Sequence, residues 1–248
     1  MDMEEGGMRN AFYLSIILLL ISCSESEEVS LKEFNLIGDV FDSGKRLMSL
    51  SYGLHTLEES NPMQKTLMIG VHGSNSRGYE WIYPLSSLDS SDRLVAFFRW
   101  DDSSCPGPGI QSLSQNLSDL LVEKPNIKKI ILLGHSYGGI LVTSFMQNWK
   151  EKLPLEIHAI AAPLKGMGPV SSMCGYEPPS ATQDNTSLHQ WRTIKELDGA
   201  FRDLDYDPQE TMILNSKITR LPETYKGNKL GHNWSISWVA DELLGLNQ

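Results

Sequence analysis

The chain contains no run of basic residues, and its formal net charge is −10 over 248 residues. A nucleic-acid binder shows a basic face, so that class is excluded. No CxxC pair, HExxH motif, P-loop or internal repeat occurs. Nothing in the sequence therefore calls for a structural metal, metalloprotease chemistry or a nucleotide site, and no cofactor is expected. Cysteine is scarce, with only Cys23, Cys105 and Cys174. A long apolar run is also missing. The stretch Ala11–Ile21 is apolar for about eleven residues, whereas a membrane-spanning helix needs nearer twenty. A length of about seven to fifteen suits the core of an export signal.

What is present is an ordinary globular composition, of a length that suits one medium domain. Three continuous apolar segments read as buried strands: Thr66–Val71, Leu94–Phe98 and Ile127–Leu133. Leu155–Ala162 makes a fourth, and Gln190–Leu197 and Thr211–Leu214 a fifth and sixth. Between them, Ile110–Val122 has helical spacing, with Ile110, Leu113, Leu117, Leu120 and Leu121 on one side. Ile140–Met146 reads as a packed helix and Trp234–Leu244 as a closing amphipathic one. Strands alternating with helices imply a mostly parallel α/β sheet covered by helices on both faces. Nearer the start, Phe34–Ile37 and Leu47–Leu57 are expected as two strands. Asp42-Ser43-Gly44-Lys45 would be the turn between them. Asp101, Asp102 and the Pro106-Gly107-Pro108-Gly109 segment are expected in a loop.

The stretch with the most chemical content is Leu132-Leu133-Gly134-His135-Ser136-Tyr137-Gly138-Gly139. It places Gly-x-Ser-x-Gly between a buried strand and a packed helix. Such a corner holds the serine in a strained conformation with its hydroxyl above the sheet edge. The chain bends so tightly there that side chains two positions away on either side would collide, so glycine is needed at 134 and 138. The helix that follows aims its amide-rich N-terminus at the site, where negative charge is favoured.

On these residues the chain, over about positions 64 to 246, resembles the α/β-hydrolase family and its lipase- and esterase-like members. The resemblance implies an α/β-hydrolase fold and a catalytic triad in the order Ser136, Asp198, His232. Ser136 would be the nucleophile. Asp198 follows the penultimate strand, with Asp203, Asp205 and Asp207 as competitors. His232 stands in a Gly-His just before the final helix. The oxyanion hole would be the backbone N–H groups of Ser74, after His72-Gly73, and of Tyr137. His72 is expected to shape its loop, and His158 to be structural. Residues 164 to 189, rich in Gly, Pro, Ser and Thr, are expected as a short cap over an acyl or alcohol pocket. The implied activity is hydrolysis of carboxylic esters through an acyl-enzyme. Thioester, amide or acyl-transfer chemistry on the same site, and a non-catalytic binding module, stay open.

Leu20-Ile21-Ser22-Cys23 resembles the lipobox of bacterial lipoprotein signal peptides. That resemblance makes residues 1–22 a signal, Cys23 the lipidation site, 23–33 a tether and 34–248 the hydrolase domain. Cleavage before Cys23 would remove three acids and one arginine, changing −10 to −8. The acidic start Met1-Asp2-Met3-Glu4-Glu5 fits an export signal poorly, and a start at Met8 would repair it. Ser24, where an aspartate would favour the inner membrane, implies an outer-membrane anchor if the source is Gram-negative. The ester substrate would then be a small molecule, a lipid or acylated envelope material. Cys105 and Cys174 either pair in an oxidising compartment or remain free thiols.

Overall fold

The computed structural model describes residues 29–247. The elements in chain order are α1 (Val40–Ser49), β1 (Gly53–Thr56), β2 (Thr66–Val71), α2 (Tyr79–Leu88), β3 (Arg93–Arg99), α3 (Pro106–Glu123) and β4 (Lys129–His135). These are followed by α4 (Tyr137–Met146), β5 (Leu155–Ile160), α5 (Pro169–Ser172), β6 (Thr186–Arg192), β7 (Lys217–Arg220), β8 (Thr224–Tyr225), β9 (Asn228–Lys229) and α6 (Trp234–Leu243). Seven strands form one sheet in the order β1-β3-β2-β4-β5-β6-β7, and β8 and β9 form a separate hairpin. Only β1 is antiparallel to its neighbour in the large sheet. Strands β2, β3 and β4 are buried almost throughout because helices cover both faces.

Two apolar layers result. One packs α3 and α4 on the sheet through Leu113, Leu117, Ile140, Leu141 and Phe145. The other packs α2 and α6 on the opposite face through Trp81, Ile82, Leu85, Ile236 and Val239. Val29 and Leu31 belong to this second layer, so the packed body extends into the stretch expected as a tether. Strand order reverses at β2, which has β3 on one side and β4 on the other. A crevice opens at the carboxyl ends of strands where such a reversal occurs. The loop after β2 and the corner after β4 meet there.

Several local expectations are corrected. Phe34–Ile37 is not a strand, and Asp42–Lys45 is not a turn but lies inside α1. Asp39 caps this helix by accepting from the Asp42 amide at 3.0 Å. Gly44 lets α1 approach α2, since a Cβ there would sit 2.4 Å from the Tyr79 nitrogen. Of 47–57, only β1 is a strand. Pro106-Gly107-Pro108-Gly109 opens α3; proline at the first helical position loses no intrahelical hydrogen bond and already has the right φ. Thr211–Leu214 contributes only an isolated bridge at Leu214, and the last parallel strand is β7. The preceding strand, β6, runs Thr186–Arg192, earlier than Gln190–Leu197, and begins within the span expected as a cap.

Candidate active site

Ser136 sits between β4 and α4 with φ +52° and ψ −118°. A non-glycine residue pays for such a backbone with strain, which the surroundings must hold in place. They do so through its own amide, which donates to the Ile160 carbonyl at 2.9 Å, and through its carbonyl, which accepts from Gly139 at 2.9 Å. The glycine requirement is steric. A Cβ on Gly138 would lie 2.3 Å from the Val71 carbonyl oxygen, and one on Gly134 would lie 2.5 Å from that of Gly138.

Asp198 follows a short 3-10 turn, Lys195–Leu197, and is wholly buried. Its Oδ1 accepts from the Ala200 amide at 2.8 Å. Its Oδ2 accepts from the Thr193 hydroxyl at 2.5 Å and stands 3.0 Å from Nδ1 of His232. The pair therefore has a buried, hydrogen-bonded carboxylate directed at one imidazole nitrogen. Asp203 instead pairs with Arg202 on the surface, and Asp207 with Arg220. Asp205 makes no side-chain hydrogen bond or ion pair among the described residues.

His232 comes from the loop between β9 and α6. It lines a polar cavity of about 80 Å³ together with Ser136, Gly73, Ser74, His135 and Asn233. The hydroxyl and imidazole expected from the sequence thus line one crevice, and the carboxylate stands behind the imidazole; no hydrogen bond joins Ser136 to His232 among the described residues. Ser74 and Ser136 also line a second, larger cavity of about 520 Å³ with Tyr137, Ile140, Met167, Val170 and Met173. Cys105 and Cys174 are joined in a disulfide at the wall of that cavity, which decides the question left open by the sequence.

The loop carrying Ser74 is tied down by His72, Arg99, Trp100 and Asp102. His72 is fully buried, with Nδ1 2.9 Å from the Gly73 carbonyl. Its Nε2 accepts from Arg99 at 2.8 Å and from the Trp100 amide at 3.3 Å. Burial, reinforced by the Arg99 charge, pushes its pKa down to about 4. It therefore stays neutral and shapes the loop, as expected. Asp102, expected in a solvated turn, also accepts from the Asn75 amide at 2.6 Å. His135 lies against His232, with ring centroids 4.5 Å apart and Nε2 3.2 Å from the His232 carbonyl. Burial, then the neighbouring His232, lower its pKa well below the usual histidine value.

Behind Asp198, Gln209 accepts from the Thr193 amide at 2.8 Å and donates to Asp207 at 3.0 Å. Arg220 donates to the Thr193 carbonyl at 2.6 Å. Nothing in the local sequence of Thr193 or Gln209 signals this role, because it arises from loops brought together by β6 and β7. Among the described residues no group of three or more His, Cys, Asp and Glu side chains could hold a metal ion.

Among solved structures, the chain is similar to Est1E from Butyrivibrio proteoclasticus, with a TM-score of 0.51 at 13% identity, covering 77% of this chain and 89% of that one. It is also similar to poly(aspartic acid) hydrolase-1 from Sphingomonas sp. KT-1, with a TM-score of 0.51 at 15% identity, covering 77% and 92%. This is the α/β-hydrolase fold. Among curated proteins, the chain resembles Methylesterase 8 of Arabidopsis thaliana, 28% identical over 108 residues, which is 40% of this chain and 39% of that protein. The chain spans 35% to 41% of the length of the curated relatives it matches. No family model matches. Within this hydrolase fold, the crevice at the β2/β4 reversal holds the Gly-x-Ser-x-Gly corner and the Asp198–His232 pair together.

Proposed function

We propose that the protein is a serine hydrolase of carboxylic esters. The observation that carries this reading is the buried Asp198 carboxylate hydrogen-bonded to His232 in the same cavity as the strained Ser136. Serine hydroxyl is a poor nucleophile at neutral pH. In this reading His232 takes its proton as Ser136 attacks the acyl carbon. Asp198 holds the imidazole with the free nitrogen turned toward the serine and favours its protonated form. The oxygen anion of the tetrahedral intermediate accepts from the Ser74 and Tyr137 amides, and removing one such donor costs on the order of 3 kcal/mol. His232 then protonates the leaving alcohol, and water releases the acyl group by the same route. The names of the methylesterase relatives support ester chemistry, on the part of their length that this chain matches.

A fluorophosphonate probe and an ester panel test the reading. Labelling and turnover in the wild type, both abolished in Ser136→Ala, are expected. A folded wild type that neither labels nor turns over any ester would favour a binding module. Faster turnover of thioester or amide analogues than of matched esters would move the assignment to those chemistries.

The same reading includes export and lipidation at Cys23, with lipids or acylated envelope material as substrates. Residues 1–28 lie outside the described residues. The Cys105–Cys174 bond supports export, because disulfides persist in oxidising compartments. Expression in a bacterial host with radiolabelled palmitate should label the wild type and not Cys23→Ala. Equal labelling of both would remove the anchor from the reading.

A further inference from the structure

A third cavity, of about 350 Å³, adjoins the catalytic one and plays no part in the chemistry above. Tyr79, Glu80 and Asn233 line both, so the two share a wall. The Asn233 side chain donates to the Tyr79 hydroxyl at 3.0 Å across that wall. Beyond it the cavity is bounded by Tyr83, Tyr225, Trp234 and Val40. We propose that this cavity binds the alcohol half of the ester, and that this half is a neutral aromatic ring. The proposal rests on the ester-hydrolase reading and names its substrate class.

The side of the site decides which half enters. His232 must protonate the departing oxygen, so the alcohol leaves next to His232. Asn233, its chain neighbour, lines this cavity, whereas the larger cavity beside Tyr137 and Val170 contains neither residue. The acyl half therefore takes the larger space. Aromatic walls favour a flat apolar ring, which packs in offset or edge-to-face arrangements. Charge argues for a neutral one. Lys226 already lies 4.5 Å from the Tyr83 ring centroid and 4.9 Å from that of Tyr225, so a ligand cation would meet it at these rings. Its own charge is matched by Asp241, 2.9 Å away, which also accepts from both tyrosine hydroxyls at 2.6 Å. An anion would face the Glu80 carboxylate.

Glu80 closes one end of the cavity without offering it a hydrogen-bonding group: the residue is only 8% exposed, one oxygen accepts from the Ser76 hydroxyl, and Oε2 is buried. The aromatic walls therefore set the preference. The catalytic reading does not require this pocket, since a methyl ester would leave it empty.

The test compares methyl and benzyl butyrate on the full chain, so that only the alcohol varies. Benzyl should exceed methyl in kcat/KM by about tenfold or more. Val40→Phe fills the cavity from α1 and should erase the benzyl preference with methyl butyrate turnover within about twofold. Ser237→Val fills it from α6 and serves if the first variant melts early. A wild type without benzyl preference, or a preference that survives both fillings, overturns the proposal. Methyl butyrate hydrolysis lost in Ser136→Ala shows separately that the ester reading stands. If no ester is turned over, that reading fails, and titration with benzyl alcohol still decides the cavity. Saturable binding lost in Val40→Phe supports it, and no binding overturns it.

Discussion

Thr193 shows how a residue outside the catalytic trio bears on it. Its hydroxyl donates to the same Asp198 oxygen that faces His232, and Gln209 and Arg220 fix its backbone. Thr193→Val keeps the shape and removes the donor. A hydrogen bond to a charged group contributes roughly 1.5–3 kcal/mol, so kcat on esters should fall by about tenfold or more. KM should stay within about twofold, because Thr193 is buried and lines none of the cavities at Ser136. Thr193→Ser should restore the rate, an outcome that distinguishes the lost hydrogen bond from looser packing. At Gly138 the demand is steric. With a Cβ only 2.3 Å from the Val71 carbonyl oxygen, Gly138→Ala must push β2 and α4 apart. Urea unfolding should show a loss of about 3 kcal/mol or more. The elbow was legible in the sequence because its constraint is local: two glycines, a serine, a strand before and a helix after. Asp198 and His232 were legible by chain order, given the resemblance. Thr193, Gln209 and Asp102 were not, because their roles depend on segments distant in sequence.

At the scale of elements, the central strands could be read from the sequence because both of their faces are covered. Their apolar runs are continuous, as in Leu94–Phe98. The rim of the sheet lacks that signal. Strand β7 is Lys-Ile-Thr-Arg, mostly exposed at an edge, while the more apolar Thr211–Leu214 leaves Met212 83% exposed. Helix α1 was obscured by its own packing. Gly44, which resembles a turn residue, lets it lie against the start of α2, while the Ser43 hydroxyl accepts from the Asn35 amide. The Cys105–Cys174 bond is the element-scale feature with the most direct consequence. It ties the start of α3 to the segment after α5, across 69 residues. A loop of that length loses on the order of 4 kcal/mol of unfolded-state entropy when closed. The double variant Cys105→Ser/Cys174→Ser should therefore melt several degrees lower. The bond also walls the larger cavity, so kcat/KM on octanoyl esters should fall more than on acetyl esters. An equal fall on both would mean that the bond stabilises the fold without shaping the acyl site.

For the whole molecule, buried and half-buried histidines set the response to acid. His72 is held down at about 4 and His189 at about 3, each mainly by burial, and His135 lies well below its usual value for the same reason. All three are neutral when folded and free to take a proton near pH 6.5 when unfolded. Between these limits the unfolded chain binds more protons, so stability rises with pH there and is fully present above about 6.5. Acidification from 6.5 toward 4 should lower the melting temperature steadily, with His72 alone contributing on the order of 3 kcal/mol across that window. Glu156 acts lower on the scale. Its hydrogen bond to His158, helped by Lys129, depresses its pKa to about 2, and the stability this gives is present above about 4.5 and lost toward 2. The two windows can be separated. His72→Gln, which keeps a donor and an acceptor on the oxyanion loop, should make the melting curve shallower between pH 6.5 and 4, where His135 and His189 still contribute, and leave the fall below pH 4 in place. A variant whose slope matches the wild type above pH 4 would show that the acid response does not originate at the loop beside Ser136.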